Sequence, residues 1–317
     1  MSRHPSVSVL IPAFRPGWLD VAVASALAQT HTDLEILVSD DSAGTAVESV
    51  MAKWVDPRVR YFRNPQRGEP GANRNHLIAQ AEGRYLKFLF DDDFLLPRSV
   101  ELLVQAVRES GAKLAFHARH LVDEHGKTLA SPSIIEAGTI AALPPTFLFE
   151  KLVADCANPI GEPTNILVDA DALRGMREPF ALEGRRMRFL TDVTLYTNFA
   201  AAGHVIAGVG YFGSAFRQHG SQTSGAQYAG FSAGYYEWEL LRRWAADTGR
   251  ITHERFARGN AKQLGLYRQW ASLFPELDAF IALEGAAEDG LHLGPLFLEA
   301  LSLADATIEM RKLSRLH

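Results

Sequence analysis

The sequence predicts an α/β fold built around a parallel β-sheet. Two observations predict it. Short apolar, β-branched runs alternate with helical segments through the first ninety residues, a pattern typical of parallel strands joined by right-handed crossovers. Acidic residues follow two of these runs, at the strand ends beyond which sheets of this kind bind ligands. The same pattern therefore predicts both the fold class and the position of a site.

The predicted elements follow one another in a regular order. The first strand, 7–11, is a β-branched run that Pro12 closes. A further helix follows Pro97, where apolar residues recur at the spacing of one buried face. Between these two points, helices and strands are expected in turn at 18–29, 34–38, 45–55, 59–62, 70–81 and 85–90.

The second half of the chain has a less regular pattern. A strand at 114–122, a helix at 191–202 and a strand at 204–209 are expected there. The stretch 214–234 is rich in glycine, serine and glutamine, and we expect a loop and a boundary in it. From there to residue 317 the pattern is nearly all helical.

Composition narrows the class of protein. The 317 residues are 47% hydrophobic and 22% charged, as in an ordinary globular protein, which excludes wholesale disorder. A net charge of −5 argues against a dedicated nucleic-acid binder. The lone cysteine, Cys156, excludes an internal disulfide framework and fits a reducing compartment. Because we find neither a signal-peptide core nor a membrane span, we expect a cytoplasmic location, with peripheral contact at the inner face of a membrane left open.

The acidic residues at the strand ends are the candidate chemistry. Asp40 and Asp41 follow the second strand, and the triplet Asp91–Asp93 follows the fourth. Adjacent carboxylates repel one another, and a hard divalent cation such as Mg²⁺ or Mn²⁺ relieves that repulsion. A solvated acidic turn before a helix would also explain the triplet, since the helix dipole favours an anion there. The triplet alone leaves both interpretations open.

Several segments form an ordered set along the chain: 9–15, 28–30, 38–42, 71–75, 81–86, the triplet, and the proline at position 97. This ordered set resembles the inverting glycosyltransferases of family 2, which have the GT-A fold. The resemblance covers roughly residues 5 to 225 and implies a Rossmann-like nucleotide-diphospho-sugar transferase domain at 1–225, with a mostly helical extension at 226–317.

The resemblance implies roles for residues of the donor site. Pro12 would contribute to substrate binding, Phe14 would line the nucleotide base, and Asp41 would accept the imide N–H of uracil or thymine. A turn-capping role would explain Asp41 as well. Arg74 would lie near the nucleotide and its phosphates. The implied donor is a nucleoside-diphosphate sugar, and a UDP-sugar is favoured over a dTDP-sugar.

The resemblance also implies a metal site. Asp91 would approach the ribose, and Asp92 would hold a Mn²⁺ or Mg²⁺ ion that bridges the diphosphate. Relatives often carry an aspartate two residues before the metal ligand; here that position is Phe90, so the pattern is shifted. His219, in an arginine–x–histidine segment, would be a second metal ligand or touch the diphosphate.

The candidate general base is Asp192, at the start of a helix where family members carry an acidic pair. Thr191 replaces the first acid of that pair. An aspartate in the first turn of a helix is also common because the helix dipole favours it. The acceptor would be a saccharide or a lipid-linked molecule, in cell-surface polysaccharide or glycoconjugate synthesis.

Other functions fit the sequence less well. A phosphoacceptor signalling domain would need an aspartate after the third strand, where the chain has 63–65, Arg-Asn-Pro. A nucleotidyltransferase would need a glycine-rich loop after Pro12, which is missing. The glycines at 208, 210 and 213 match a dinucleotide fingerprint, but no helix pattern follows them. A catalytically silent nucleotide-sugar-binding relative stays open, because Phe90 and Thr191 depart from the family pattern.

The C-terminal extension carries many aromatic residues. We expect them to pack on the catalytic domain or on another subunit, so a homo-oligomer formed through the C-terminal helices stays open. The basic end, with Arg311, Lys312 and Arg315, suits a helix C-terminus. Contact of this end with an anionic membrane surface is the alternative interpretation.

Overall fold

The computed structural model describes residues 4–222, 224–225, 227–284 and 292–314, so Arg315 of the basic end lies outside the described residues. The strands are β1 (Val7–Ala13), β2 (Leu34–Asp40), β3 (Val59–Arg63), β4 (Tyr85–Phe88), β5 (Phe94–Leu95), β6 (Leu114–Val122), β7 (Thr128–Ala130), β8 (Ile140–Leu143), β9 (Ile166–Asp169), β10 (Ala181–Leu182), β11 (Arg185–Arg186) and β12 (Ile206–Arg217). The helices are α1 (Leu19–Leu27), α2 (Ala46–Met51), α3 (Ala72–Gln80), α4 (Ser99–Ser110), α5 (Pro145–Leu148), α6 (Ala170–Gly175), α7 (Thr191–Ala201), α8 (Ala233–Asp247), α9 (His253–Trp270), α10 (Asp278–Ile281) and α11 (Pro295–Ser314).

The chain forms two compact units that do not follow one another simply in sequence. The first contains the residues up to Leu143 together with Pro159–Arg177 and His204–His219. The second contains Pro144–Asn158, Glu178–Gly203 and the described residues from Gly220 onwards. Two segments from before residue 225 therefore pack with the C-terminal helices. The division into a domain of 1–225 and an extension of 226–317 stays a prediction about separately folding parts.

The first unit contains a mixed sheet, in the order β3-β2-β1-β4-β9-β6-β12-β5. Strands β1 to β4 are parallel, as predicted, and β9 runs antiparallel between β4 and β6. The α/β fold class is confirmed. Because β2, β1 and β4 are parallel neighbours, their carboxyl ends lie at one edge of the sheet. The loops after these three strands hold Phe14, Asp41 and Asp91, three of the predicted donor-site residues.

Apolar sequence explains why this sheet forms. Every residue of β2 is buried, and β1 is buried except for the partly exposed Pro12. Helix α4 turns its predicted apolar face, which includes Val100 and Leu103, into the same core. Each such aliphatic side chain contributes about 1.5–3 kcal/mol on burial. The core therefore fixes the strand ends from which the loops of the site emerge.

Strand β12 is longer than predicted and overturns part of the expected loop at 214–234. It continues to Arg217 because Ser214–Arg217 pair with Arg119–Val122 of β6. Its glycines at positions 208, 210 and 213 lie within the strand, which confirms that they do not form a dinucleotide-binding turn. A Cβ at Gly210 would come within 1.8 Å of the Glu136 carbonyl oxygen. These glycines therefore permit close packing.

The second unit is mostly helical, as expected beyond residue 226. Much of its aromatic surface packs inside the unit: the rings of Tyr236 and Tyr267 both stack on Phe280, and Tyr235 lies against Trp270. The aromatic residues therefore do not by themselves require another subunit as a cover. Among the helices that the structure describes, none is long and apolar enough to cross a membrane.

The close approach of Gly83 to β1 gives a prediction about stability. A Cβ at Gly83 would lie 2.5 Å from the backbone nitrogen of Ser8, so Gly83→Ala must displace buried backbone. We expect a loss of about 2–3 kcal/mol in the free energy of unfolding, measured by chemical denaturation. Gly44→Ala is the control, because nothing lies within 4 Å of a Cβ there. Equal stability of the two variants would contradict the packing argument.

Candidate active site

Asp91 fixes the loop that follows β1. Its Oδ2 accepts hydrogen bonds from the backbone N–H groups of Phe14 and Arg15, at 2.6 and 2.7 Å. Burial raises the pKa of Asp91 to about 6, although these two N–H groups and the Arg15 guanidinium oppose the rise. Asp91 thus joins the ends of β1 and β4. Its predicted contact with a ribose stays a prediction.

Asp92 points away from the core, toward a basic cluster. Its Oδ2 lies 3.0 Å from His219 Nε2 and 3.7 Å from Arg15 Nη1. The His219 side chain is only 3% exposed, because its ring packs on Trp18 with the ring centroids 4.8 Å apart. The structure therefore brings together the two residues predicted as metal ligands. Sequence reasoning missed Trp18, which orients the imidazole.

Asp93 is fully buried and holds three segments together. Its Oδ2 accepts the Thr164 hydroxyl at 2.5 Å, and its Oδ1 accepts the Arg217 backbone N–H at 3.0 Å. Burial, with repulsion from Asp92, raises the pKa of Asp93 well above its usual value. The first and third residues of the triplet therefore have a different role from the second. Asp91 and Asp93 turn inward and support the fold, and Asp92 is presented to the site.

A network of buried polar groups surrounds Thr164, the residue whose hydroxyl binds Asp93. The Lys87 ammonium is fully buried, donates to the carbonyl oxygens of Phe88 (3.1 Å) and Thr164, and has a pKa lowered by burial to about 7. The Ser214 hydroxyl donates to Asn165 at 2.5 Å. Thr164 and Asn165 are both buried, and sequence reasoning assigned no role to either of them.

Arg217, the last residue of β12, forms hydrogen bonds with the triplet. Its guanidinium Nε donates to the Asp92 carbonyl oxygen at 2.9 Å, and Nη1 donates to the carbonyl oxygens of Asp123 (3.2 Å) and Glu124 (2.9 Å). The Trp18 ring lies 5.1 Å from the guanidinium carbon. The arginine of the predicted arginine–x–histidine segment thus positions backbone, and the histidine faces the Asp92 carboxylate.

The geometry of Asp92 and His219 fits a divalent cation. An ion about 2.1 Å from each of two donors that are 3.0 Å apart would see them at nearly a right angle, as neighbouring ligands of an octahedron. The carboxylate oxygen is a ligand that suits Mg²⁺ and Mn²⁺. Within the described parts of the chain, no group of three or more His, Cys, Asp or Glu could hold a metal. The remaining ligands would therefore come from water and a substrate.

The pair of aspartates after β2 also divides its roles. Asp40 is buried, and although burial raises its pKa, hydrogen bonds from Ser42, Tyr61 and Arg63 lower the pKa below its usual value overall. Asp41 is half-buried, and its Oδ1 accepts Asn64 Nδ2 at 2.6 Å and the Gly68 N–H at 3.2 Å. Asp40 therefore anchors the loop, and Asp41 lies at its rim.

The other predicted donor-site residues lie at the same edge of the sheet. Pro12 is in β1, and the Phe14 ring just beyond it is 58% exposed, as a ring that stacks on a ligand would be. Arg74 lies in the first turn of α3. Sequence reasoning assigned no role to its neighbour Asn73, whose Nδ2 donates to the Ser39 carbonyl oxygen at 2.9 Å and to that of Ala13 at 3.4 Å. This amide ties β1 to β2.

The predicted base, Asp192, belongs to the second unit. It lies in the first turn of α7, where its Oδ2 accepts Asn158 Nδ2 at 3.0 Å. Asn158 therefore orients the carboxylate, a role that its sequence context did not suggest. Arg185 and Arg188, which precede this helix, form ion pairs with Asp305 of α11, at 2.5 and 2.7 Å.

Comparison with known proteins identifies the family. The model of "Glycosyl transferase family 2" matches residues 8–176, more than half of the chain. This protein belongs to glycosyltransferase family 2, as the sequence predicted.

Several curated relatives are similar over part of their length. An uncharacterized glycosyltransferase of Rickettsia conorii is 31% identical over 160 residues, 50% of this chain and 25% of the relative. The GalNAc(5)-diNAcBac-PP-undecaprenol beta-1,3-glucosyltransferase of Campylobacter jejuni is 38% identical over 112 residues, 34% of this chain and 36% of the relative. The succinoglycan biosynthesis protein ExoO of Rhizobium meliloti is 29% identical over 144 residues, 45% and 41% of the two chains. The match thus spans a quarter to two-fifths of these relatives.

Solved structures share the fold. S. aureus TarS 1-349 in complex with UDP-GlcNAc superposes with a TM-score of 0.57 at 13% identity, over 98% of this chain and 91% of that one. The longer S. aureus TarS structure gives a TM-score of 0.60 at 14% identity, over 98% and 55% of the two chains. The GT-A fold class is therefore confirmed, together with the helical C-terminal part.

The alternation of roles in the triplet predicts unequal effects on stability. In Asp93→Asn one buried acceptor becomes an N–H₂ group that faces either the Arg217 N–H or the Thr164 hydroxyl, so we expect unfolding to become easier by about 2–3 kcal/mol. Asp92→Asn removes no acceptor of a backbone N–H group and should cost less, about 1 kcal/mol or under, because only the contacts with His219 and Arg15 change. Urea denaturation of both variants measures this. Similar losses would show that the outward position of Asp92 is wrong.

Proposed function

We propose that this protein is an inverting, metal-dependent glycosyltransferase that moves a sugar from a nucleoside-diphosphate donor to a hydroxyl acceptor. The observation that carries the proposal is the pairing of Asp92 with His219 beside Arg15, at the edge of the sheet where three parallel strands end. A carboxylate that lies beside an imidazole and a guanidinium is suited to a bound metal–diphosphate group. Membership of glycosyltransferase family 2 supports the reaction class.

A UDP-sugar is the donor that we favour. Asp41 lies at the rim of the β2 loop, where its carboxylate would accept the imide N–H of a uracil, and Phe14 offers an exposed ring against which a base would stack. Arg74 would lie near the phosphates. The TarS structure that shares this fold contains UDP-GlcNAc, which supports uracil over thymine. The sugar that is transferred is not part of the proposal.

The acceptor would be a saccharide or a lipid-linked saccharide. The Campylobacter relative is named for an undecaprenol-linked glycan, and the Rhizobium relative for succinoglycan biosynthesis. Both names support a role in cell-surface polysaccharide or glycoconjugate synthesis. We include in the proposal a cytoplasmic location, with peripheral contact at the inner face of a membrane.

The mechanism assigns one task to each group. Asp92 and His219 would hold Mn²⁺ or Mg²⁺, which stabilises negative charge on the departing diphosphate. Arg15 adds a second positive charge beside Asp92, and Asp91 holds the loop that carries Arg15 in place. Asp192, oriented by Asn158, takes the proton from the acceptor hydroxyl as its oxygen attacks the anomeric carbon. A single displacement of this kind inverts the configuration at that carbon.

The metal site predicts the behaviour of Asp92→Ala. We expect transfer from UDP-sugars to be abolished while the variant remains folded, because Asp92 lies at the rim of the site and not in the core. Calorimetric titration of Mn²⁺ in the presence of UDP should show binding to the wild-type protein and none to the variant. Chelator should abolish wild-type activity, and Mn²⁺ or Mg²⁺ should restore it. A variant fully active in chelator would refute metal dependence.

The base predicts the behaviour of Asp192→Asn. The amide keeps the size of the side chain but cannot accept the proton, so turnover should fall by roughly two to four orders of magnitude. Donor affinity, measured by calorimetry, should hardly change.

Asp171→Asn provides the matched control, because Asp171 also lies in the first turn of a helix, α6. Both substitutions remove a charge that favours a helix dipole, but only Asp192→Asn should slow turnover. If donor binding disappears and turnover per bound donor does not fall, Asp192 is a binding residue and the base lies elsewhere.

A further inference from the structure

A buried carboxylate of α8 holds the segment that leads into the helix of the candidate base. Glu237 is 2% exposed, and it accepts three consecutive backbone N–H groups. Its Oε1 accepts that of Arg188 at 2.5 Å, and its Oε2 accepts those of Phe189 at 3.0 Å and Leu190 at 2.7 Å. Helix α7 begins at the next residue, Thr191, and Asp192 follows. Only Thr191 therefore separates the last of these hydrogen-bonded residues from the base.

Other contacts of the C-terminal helices hold the same segment. Asp305 of α11 pairs with Arg188 and also accepts the Tyr236 hydroxyl at 3.0 Å. The ring of Phe189 packs against α8 so closely that a Cβ at Gly234 would lie 2.8 Å from its Cδ1. Residues 188–190 thus have their backbone bound by Glu237, and the side chains of Arg188 and Phe189 contact α11 and α8. The helices after residue 226 form a support for the start of α7.

Stability alone does not account for Glu237. Burial raises its pKa to about 7, and the three N–H donors lower the pKa only in part. Because the pKa in the folded protein exceeds that of the unfolded chain, ionisation of Glu237 reduces stability as the pH rises from about 4.5 toward 7. Burial thus disfavours the charged form of Glu237, yet its two carboxylate oxygens hold three backbone amides at one point.

We propose that Glu237 is a positioning residue for catalysis, which sets the place of Asp192 through the backbone of 188–190. This inference rests on the proposed role of Asp192 as base. It gives the C-terminal helices, which lie beyond the matched family region of 8–176, a direct part in the reaction.

Glu237→Gln tests the inference with little change in shape. An amide presents an N–H₂ group to at least one of the three N–H donors, so the segment must move. We expect kcat to fall by about 10- to 100-fold, since a small displacement of a catalytic group has an effect of this size. The KM for the donor should change by less than about twofold. Hydrogen exchange at the amides of 188–190 should become faster.

Two further variants separate positioning from general stability. Glu276→Gln removes another buried carboxylate of the second unit, which binds Ser232 and Arg311 and none of residues 188–190, so it should lower stability and leave kcat unchanged. Gly234→Ala pushes on the Phe189 ring without altering any charge, and it should lower kcat while the helix keeps its stability. If Glu237→Gln does not fold, Gly234→Ala still tests the inference.

A double-mutant cycle with Asp192→Asn distinguishes the two proposals. If Glu237 acts through the base, Glu237→Gln should lower kcat no further once Asp192 is replaced. A kcat for folded Glu237→Gln equal to that of Glu276→Gln would overturn the positioning role while leaving Asp192 as base. Unchanged turnover in Asp192→Asn would overturn the base assignment itself, and with it any role of Glu237 in placing that base.

Discussion

The burial of two carboxylates of the acidic triplet is the constraint on which the site depends. Asp91 is satisfied by backbone N–H groups of the loop after β1, and Asp93 by Thr164 and the backbone of Arg217. Neither charge can lie in the core without these partners, because burying an uncompensated charge is costly. With both of these side chains buried, the carboxylate of Asp92 between them faces His219 and Arg15. The three adjacent carboxylates thus point to different partners, which reduces the repulsion among them.

Much of the fold could be predicted from the sequence, because the signals in its first half are local. Apolar runs in β1, β2 and β4 are buried as the pattern indicates, and the alternation with helices gives the parallel order. Strand β12 was predicted too short because its glycines look like a loop. The groups that pack against these glycines are distant in sequence: the Glu136 carbonyl near Gly210 lies 74 positions earlier (210 − 136). The local sequence therefore does not indicate this packing.

For the site, sequence reasoning found the residues that carry charge and missed those that orient them. Asp92 and His219 were predicted from an ordered set of segments, and they lie 3.0 Å apart. Trp18 and Thr164 act only through tertiary contacts, so residue type and spacing did not indicate their parts. The same holds for Asn158, whose amide orients the carboxylate of the candidate base. Orientation depends on partners that are distant in sequence, and a single sequence does not show which of them will meet.

The interleaving of the two units restricts how such a chain can be recombined. The polypeptide passes from one unit to the other after residues 143, 158, 177, 203 and 219. A chimera joined at a single point after residue 226 would therefore bring foreign helices to segments 144–158 and 178–203, which are shaped for the native ones. Exchange of the C-terminal helices between family members requires those two segments to travel with them. The part that can be exchanged as a whole is therefore a set of three segments that are separate in sequence, and not one contiguous domain.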